Sequence, residues 1–401
     1  MSSTHSPHVL VSGGGIAGNA VAIQLLRAGI RTTVVERAAA PRPGGQAVDL
    51  RGPSKEAAER MGLMPGIRKY LLDEKGMAFV DERGRDKVRM PAEMFDGKGF
   101  VAEIEITRGD LNDVLLTELA AIDGPLDYRY GAWIEALTQD DTGVEVTFAG
   151  GGTERFDLVI GADGVHSATR ALAFGPEDDY ATYLGGYMSF FTVPAPAGTE
   201  PGWMKTHSVP NASVGIRPDA DPDTCKAIIM LRTEADPGLR RDVAAQQRRI
   251  ADMLAGAGWI APEVLAAMAD TPDFYFDVLA RIDMPTLSAG RVTLLGDAGY
   301  CGSPMTGMGT AMAIVGAYVL AGEIAATPGD LTGALARYET TVTPFLDKAK
   351  ELPGSIATVL PASRFGIKMS QVFMRLMTTR LLRPLMMKFF THTDFYELPA
   401  Y

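Results

Sequence analysis

The stretch that most constrains the fold is residues 8–37, HVLVSGGGIAGNAVAIQLLRAGIRTTVVER. It reads as a short apolar strand, a glycine cluster, a helix and a β-branched strand that ends on the acidic Glu36. Gly13, Gly15 and Gly18 give the pattern G-x-G-x-x-G between a strand and a helix. In that context the pattern predicts a site for a dinucleotide.

Each glycine of the pattern has its own physical function. The first permits a tight turn, the second lets the backbone approach a pyrophosphate, and the third lets the helix pack closely on the strand. The helix N-terminus offers free N–H groups and the positive end of its dipole to the phosphates. Glu36 follows about 20 residues later, where an acid accepts from the ribose hydroxyls of an adenosine. The alternative is a tight turn that binds no ligand.

Length and charge exclude several classes of protein. At 401 residues the chain is long enough for two domains or one large discontinuous domain. A net charge of −11 argues against a general nucleic-acid binder, because phosphate binding needs a cationic face. We therefore expect no nucleic-acid partner, and a protein that works as a monomer or homodimer.

The cysteines and the lengths of the apolar runs indicate the cellular compartment. Cys225 and Cys301 form no disulfide framework and suit a reducing compartment. The first apolar run is too short for a signal sequence, and the longest, Ala311–Gly322, is too short to span a bilayer. These features predict a cytoplasmic protein.

The order of predicted elements indicates a discontinuous organisation. Residues 180–283 carry short strands without a βαβ rhythm, which is typical of an antiparallel sheet with helices on one side. A strand at Arg291–Leu295 then resumes the first domain. The prediction is an α/β fold with a discontinuous Rossmann-like domain (1–75, 100–178 and 284–345), an inserted antiparallel-sheet substrate domain (76–99 and 179–283) and a C-terminal helical segment (346–401).

Three glycine-bearing strand ends occur along the chain: GGGIAG, GADGVHSATR and LLGDAGYCGSPMTGMGTAM. Together, and in this order, they resemble the class A flavoprotein monooxygenases of the para-hydroxybenzoate hydroxylase type, over about residues 8–345. The closest type within that family is the hydroxylases that modify aromatic polyketides and tetracyclines. In the family the first motif binds the ADP half of FAD, the second touches FAD and NADPH, and the third holds the ribityl chain. The resemblance thus implies that the Rossmann-like domain binds FAD without a covalent link.

The resemblance also implies which residues hold the cofactor. The set is Gly13, Gly15, Ala17, Gly18, Glu36 and Arg37 for the ADP half, with Asp163 beside the pyrophosphate, Arg51 and Arg108 near the flavin, and Gly296, Asp297, Gly307, Met308 and Gly309 along the ribityl chain and flavin. Arginine suits this task because it neutralises phosphates bidentately. A helix N-terminus at Gly307 and Gly309 would stabilise the anion of the reduced flavin. Helix N-cap roles for Asp163 and Asp297 stay open, as does a surface position for Arg51. No metal site is expected.

Two positions depart from the family pattern. Tyr300 stands where the family commonly has a histidine in the third motif, and Ala311 stands where an asparagine is common. These departures bear on the fine positioning of the flavin but not on FAD binding.

The chemistry follows from the resemblance. NADPH reduces FAD, O₂ adds to give a flavin hydroperoxide, and the distal oxygen passes to an electron-rich substrate. The expected reaction is hydroxylation or epoxidation of a hydrophobic aromatic small molecule. Alternatives are a flavin-dependent reductase or oxidase, a flavin halogenase, and a non-catalytic FAD carrier that sequesters a ligand. The halogenase stretch GWxWxIP contains none of the tryptophans here, Trp133, Trp203 and Trp259.

Candidate catalytic residues lie in the inserted block. Arg217 stands at a strand end, roughly where the para-hydroxybenzoate enzyme has an arginine for the substrate carboxylate, and His207 and Tyr187 are further candidates. Phe190 and Phe191 are candidates for an apolar wall, although strand alternation lets only one of them face the pocket. An exposed strand-end charge for Arg217 and a structural role for His207 stay open.

The stretch Ser363–His392 is basic and apolar, with no acidic residue between Glu351 and Asp394. A basic amphipathic helix can lie on an anionic membrane. The alternative is a long helix that braces the two domains. We expect the brace, and no contact with a membrane.

Overall fold

The computed structural model describes residues 6–41, 44–95, 104–351, 354–379, 382 and 396–401. The helices in these ranges are α1 (Ile16–Arg27), α2 (Pro53–Arg60), α3 (Met64–Ile67), α4 (Arg108–Ala120), α5 (Ala168–Ala173), α6 (Val243–Met253), α7 (Ala261–Met268), α8 (Asp297–Tyr300), α9 (Gly309–Ala326), α10 (Leu331–Ala349), α11 (Ile356–Val359) and α12 (Arg364–Met377). The strands are β1 (His8–Ser12), β2 (Arg31–Glu36), β3 (Ala47–Leu50), β4 (Gly76–Val80), β5 (Asp86–Pro91), β6 (Ile104–Thr107), β7 (Leu126–Tyr130), β8 (Ile134–Asp140), β9 (Gly143–Phe148), β10 (Thr153–Phe156), β11 (Leu158–Gly161), β12 (Ala181–Pro194), β13 (Trp203–Val209), β14 (Ala212–Pro218), β15 (Thr224–Arg232), β16 (Tyr275–Ile282), β17 (Ser288–Ala289) and β18 (Val292–Leu294).

A six-stranded sheet in the order β17-β18-β11-β1-β2-β7 forms the first layer. Every neighbouring pair is parallel except β17 with β18. The carboxyl ends of parallel strands meet at one edge of a sheet, which is where α/β proteins bind ligands. The topology therefore brings the turns after β1, β11 and β18, which carry the three glycine motifs, to the same edge.

Helices α1 and α9 pack against each other beside this sheet. Ten of the twelve residues of α1 are buried, because the helix is enclosed by neighbouring elements instead of facing solvent on one side. Helix α9 is long and apolar enough to cross a membrane by length and composition, yet it is mostly buried, in contact with α1, α2 and α10. Its apolar residues therefore form the core of this domain.

The second layer is a seven-stranded sheet in the order β16-β12-β15-β14-β13-β4-β5. All its pairs are antiparallel except β13 with β4, which is parallel because β4 comes from a distant part of the chain and not from a hairpin with β13. Its outer face carries α6 and α7 over a core that includes Phe191, Ala227 and Ile229. The predicted α/β fold with an inserted, mainly antiparallel sheet is thus confirmed. Because β4, β5 and β12 to β16 belong to the second sheet, we propose the domain boundaries predicted from the sequence.

Helix α12 is the described part of the basic C-terminal stretch. Ser363 caps it by accepting from the N–H of Gly366 at 3.1 Å, and Met374 packs near Val88 and Met90 of β5. Large apolar side chains on its other side are exposed, Phe365 by 74%. The rest of the predicted brace, residues 380–381 and 383–392, lies outside the described residues, so the brace stays a prediction.

Arg170 is the largest fully buried side chain of the described residues, and it joins the second and third motifs. It donates to the carbonyl of Ala298 at 2.8 Å and to that of Val165 at 2.7 Å, and it pairs with Glu177 at 3.1 Å. A buried guanidinium needs such partners because desolvation of an unpaired charge is costly.

Replacing Arg170 with methionine should destabilise the fold by about 3–5 kcal/mol, because it leaves Glu177 and two carbonyls without their buried cation. Urea denaturation measures the free energy of unfolding. The control is Arg155→Met, which breaks an exposed pair with Asp140 and should leave the unfolding midpoint unchanged. Equal midpoints for Arg170→Met and the wild type would contradict the assignment.

Candidate active site

The three glycine motifs are in direct contact at the sheet edge. Gly13 has φ +112°, and a Cβ there would collide with the carbonyl of Ala162 in the second motif. A Cβ on Gly18 would collide with the carbonyl of Gly13. The Cβ of Ala17 lies 2.9 Å from where a Cβ on Gly296, in the third motif, would stand. These turns can therefore pack together only because they lack side chains.

The space above Gly15 is open, in contrast to its neighbours. Gly15 is the N-cap of α1, and the nearest atom to a Cβ built there is Nη2 of Arg108, at 4.0 Å. Arg108 begins α4, is exposed, and forms no ion pair with any residue in the described ranges. A helix N-terminus, open space and an unpaired guanidinium are together what a pyrophosphate requires. The residues present fit FAD.

Glu36 supports the glycine turn from the end of β2. Its carboxylate accepts from the N–H of Gly14 at 2.8 Å and from that of Ala38 at 2.7 Å. The neighbouring Arg37 is exposed. Both positions suit the predicted contacts with the ADP half, which stay predictions.

Asn19 supports the glycine turn, a role that the motif pattern does not reveal. It is fully buried in α1 and donates to the carbonyl of Gly14 at 2.8 Å and to Oδ1 of Asn112 at 3.0 Å. The Tyr128 hydroxyl donates to its Oδ1 at 3.1 Å. The sequence signal for this role is an amide side chain among the apolar residues at the start of α1. Through its hydrogen bonds Asn19 connects the glycine turn to α4 and β7.

Asp163 lies at the predicted place, but its carboxylate is already engaged. Its backbone N abuts Gly13. Its oxygens accept from Ser167 Oγ at 2.5 Å, from the N–H of Thr169 at 2.9 Å and from Thr169 Oγ1 at 3.1 Å. The side chain thus binds the first turn of α5, whose N-cap is Ser167, and the contact of Asp163 with the pyrophosphate stays a prediction.

Asp297 begins α8 and is exposed, with Gly309 beside it. Its Oδ1 lies 3.9 Å from where a Cβ on Gly309 would stand, so the carboxylate meets the N-terminus of α9. Desolvation by the surrounding protein raises the pKa of its carboxyl, and the charge of Arg108 opposes that rise. Gly307, with φ +67°, and Met308 form the turn just before α9. A ligand with hydroxyl groups would find an acceptor here.

Tyr300, the departure from the family histidine, points into the core. It is 1% exposed, and its hydroxyl lies 3.3 Å from that of Tyr338 and 3.5 Å from the carbonyl of Met312. The Tyr338 hydroxyl donates to the carbonyl of Leu294 at 3.2 Å. The substitution is therefore accommodated by α9 and α10, beneath the site.

Arg51 and Arg217 are both paired with carboxylates. Arg51 is half-buried and bridges to Asp49, and its contact with the flavin stays a prediction. Arg217 pairs with Glu74 and, at 3.0 Å, with Glu105, and all three side chains are largely buried. A substrate carboxylate at Arg217 would therefore have to compete with two carboxylates of the chain, and the catalytic role expected for Arg217 stays a prediction.

Tyr187 and His207 lie on the outer face of the seven-stranded sheet. The ring of Tyr187 stacks on Phe276 at 5.0 Å, and its hydroxyl accepts from the N–H of Asp236 at 2.8 Å. Nδ1 of His207 donates to the carbonyl of Val80 at 3.0 Å, and the ring is buried. These contacts give both side chains structural partners on the outer face of the sheet, and their expected catalytic roles stay predictions.

The two phenylalanines of β12 lie on opposite faces of the sheet, as strand alternation requires. Phe191 belongs to the outer core under α6 and α7. Phe190 points to the opposite face, where its ring lies 6.2 Å from that of Tyr275. Phe190 is therefore the one that faces the first domain.

His166, in the second motif, connects the two domains and was not foreseen. Its Nδ1 lies 3.0 Å from Glu177 and its Nε2 lies 3.0 Å from Asp277 of β16. The two carboxylates stabilise the imidazolium and raise the pKa of His166 to about 9. Within the described ranges no group of side chains could hold a metal ion.

Replacing Gly15 with alanine should weaken FAD binding by about 1–3 kcal/mol and leave the stability of the FAD-free protein unchanged, because the new methyl enters open space. Gly18→Ala is the matched control. Its methyl collides with the carbonyl of Gly13, so it should destabilise the FAD-free fold by a similar amount. Flavin fluorescence titration and thermal unfolding separate the two effects. Unchanged FAD affinity in Gly15→Ala would place the pyrophosphate elsewhere.

The ion pairs of His166 should make stability depend on pH. Its folded pKa is raised, so its contribution is complete below pH 6.5 and is lost as the pH rises through about 9, while Glu177 and Asp277, with lowered pKa, stay ionised. The difference in melting temperature between the wild type and His166→Gln should shrink across that range. A difference that does not change with pH would contradict this.

Comparison with known proteins agrees with this geometry. Residues 7–350 match the FAD binding domain family. An uncharacterised protein of Mycobacterium tuberculosis (strain H37Rv) is 37% identical over 85% of this chain and 91% of its own length. A flavin-dependent monooxygenase of Legionella longbeachae is 36% identical over 84% of this chain and 86% of its own.

A solved structure is similar over the whole chain. The crystal structure of tetracycline destructase Tet(51) superposes with a TM-score of 0.82 at 31% identity, covering 99% of this chain and all of that one. Together with the three motifs at one sheet edge and the open space for the cofactor, these matches identify the family. The chain belongs to the FAD binding domain family and is an FAD-dependent monooxygenase.

Proposed function

We propose that this monooxygenase uses NAD(P)H and O₂ to hydroxylate or epoxidise a hydrophobic aromatic compound. The compound binds between the flavin and the inner face of the seven-stranded sheet. The observation that carries the proposal is the chemistry of that inner face, which presents large apolar side chains and whose cations are paired with carboxylates of the chain.

The inner face of the sheet presents large apolar side chains. Met188 and Met230 are half-buried, and they cluster with Met305 of the third motif and Leu360 after α11. Phe190 extends the same face. Methionine side chains adapt to irregular shapes and contact aromatic rings favourably through sulfur. This surface suits a flat, hydrophobic ligand.

The cations near this face are neutralised by the chain itself. Arg217 is held by two glutamates, and Lys226, on the paired strand β15, donates to Thr192 Oγ1 at 2.5 Å and pairs with Asp273 at 3.3 Å and Asp219 at 3.4 Å. A substrate carboxylate would have to displace these partners and bear the cost of desolvation. The proposed substrate therefore has no carboxylate in this part of the site.

The residues around the glycine turns bind FAD in the proposed arrangement. Arg108 and the N-terminus of α1 hold the pyrophosphate, Glu36 accepts from the ribose, and Asp297 accepts from the ribityl hydroxyls. Bound FAD supplies the transfer of electrons from the nicotinamide to O₂ and of one oxygen atom to the substrate. The protein's part is to orient the substrate over the ring and to exclude water.

NADPH is proposed to be a diffusible reductant. The sequence holds one complete G-x-G-x-x-G fingerprint, at Gly13–Gly18, and we assign it to FAD. The free cysteines, Cys225 and Cys301, are both buried, which supports a cytoplasmic location where such a reductant is supplied.

The proposed first substrate to test is tetracycline, because the similar solved structure is a tetracycline destructase. With FAD-loaded enzyme, tetracycline or another fused-ring aromatic should accelerate NADPH oxidation, with stoichiometric O₂ consumption and a product that carries one oxygen atom from labelled O₂. An oxygen electrode and mass spectrometry measure these.

The competing activities give different outcomes. NADPH oxidation without O₂ consumption would indicate a reductase, and O₂ consumption that ends in hydrogen peroxide with unaltered substrate would indicate an oxidase. Binding without NADPH oxidation across a library of aromatic compounds would indicate a ligand-sequestering protein. Each of these would overturn the proposal.

A further inference from the structure

We propose that Tyr275 accepts a hydrogen bond from a hydroxyl group of the bound aromatic compound, and that Asp277 and His166 hold the Tyr275 hydroxyl in the orientation this requires. The inference rests on the proposed function, because it concerns the same binding space between the flavin and the inner face of the seven-stranded sheet, here called the cleft. It narrows the substrate class to aromatics with an O–H donor.

Tyr275 stands on the inner face of the sheet, opposite the glycine turns. Its neighbours Phe274 and Phe276 pack into the outer core, so alternation along the chain turns Tyr275 inward. Its exposed fraction is 43%, although the surrounding protein raises the pKa of its hydroxyl. The charges of Arg108 and Asp297 also act on that pKa, so the Tyr275 hydroxyl lies within electrostatic range of two residues that we assign to FAD.

The hydrogen bond of the Tyr275 hydroxyl determines whether that hydroxyl can act as a donor or as an acceptor toward a ligand. Its hydroxyl donates to Oδ2 of Asp277 at 2.8 Å, so its only proton is committed. In the described part of the chain no donor reaches the Tyr275 oxygen. Its lone pairs therefore face the cleft as acceptors.

Asp277 is held as an anion in a fixed orientation. Its Oδ1 accepts from the N–H of Val278 at 2.8 Å and from Nε2 of His166 at 3.0 Å. His166 is held in turn through Nδ1 by Glu177 at 3.0 Å. The groups that face this imidazole are thus the carboxylates of Glu177 and Asp277, with the hydroxyl of Tyr275 beyond.

The cations behind Glu177 complete the chain of contacts. Arg170 is fully buried and pairs with Glu177 at 3.1 Å, and Arg240 pairs with it at 3.5 Å. The Glu177 carboxylate is therefore held in place by two arginines in addition to His166. The orientation of the Tyr275 hydroxyl depends in this way on groups of both domains.

An acceptor of this kind discriminates between related ligands. A site that is built to bond a substrate hydroxyl rejects the analogue that lacks it, because a buried polar group then stays unpaired. A phenol or enol satisfies Tyr275, whereas an ether or a carbonyl at the same position places two acceptors against each other. His166 is a positioning residue here, because it acts only through Asp277.

The test compares 2-hydroxyanthraquinone with 2-methoxyanthraquinone, binding to FAD-loaded enzyme without NADPH. Dissociation constants come from quenching of flavin and tryptophan fluorescence. The wild type should prefer the hydroxyl compound by about five- to tenfold, the value of one hydrogen bond. Tyr275→Phe should lose that preference while its affinity for the methoxy compound is retained.

Further variants separate positioning from general damage. His166→Ala should reduce the preference, and His166→Gln should restore part of it, because the amide can still donate to Asp277. Tyr183→Phe is the matched control, because that hydroxyl donates to the carbonyl of Thr233 and not to Asp277. It should keep the full preference. FAD content and melting temperature verify that each variant is folded.

The outcomes distinguish this inference from the proposed function. If the wild type binds both compounds equally, or if Tyr275→Phe keeps the preference, the role of Tyr275 is wrong and the proposed function stands. If the wild type binds neither, the aromatic substrate class fails, and the inference fails with it. Should His166→Ala not fold, Tyr275→Phe and His166→Gln still decide the matter.

Discussion

The structure depends on the close approach of backbone to backbone at one edge of a parallel sheet. Three turns from distant parts of the chain meet there, and they fit only because Gly13, Gly18 and Gly296 carry no Cβ. A packed interior does not yield by the volume of a methyl group without cost. The α1 N-terminus, the third-motif carboxylate and the inserted sheet all take their positions from this contact.

Electrostatics explains how an acidic chain holds a dianionic cofactor. The net charge of −11 would repel FAD if the charge were spread evenly, but binding depends on local groups. Near the glycine turn, the N-termini of α1 and α9 and the unpaired guanidinium of Arg108 supply positive potential. Other guanidinium groups, such as those of Arg217 and Arg170, face carboxylates of the chain. Arg108, which forms no ion pair within the described ranges, is thus the cation that we propose for the phosphates of the cofactor.

Much of the fold and of the cofactor site could be predicted, because their signals are local in sequence. A glycine spacing between a strand and a helix lies within a few residues, and so does the acid after β2. The substrate side could not be predicted in the same way. Arg217 meets Glu74 and Glu105, which are more than a hundred residues away in sequence.

Which face of the sheet a strand residue occupies also depends on how the strands pair. The pairing of β12 with β16 shifts register between Tyr183 and Tyr187, so alternation counted along the sequence does not decide which side meets the flavin.

The order of the strands has a further consequence for biosynthesis. Strand β18 pairs with β11 near the middle of the sheet, yet it leaves the ribosome only after the whole inserted sheet. The nascent chain must therefore carry an incomplete nucleotide domain, with one side of β11 unpaired, until most of the protein has been made.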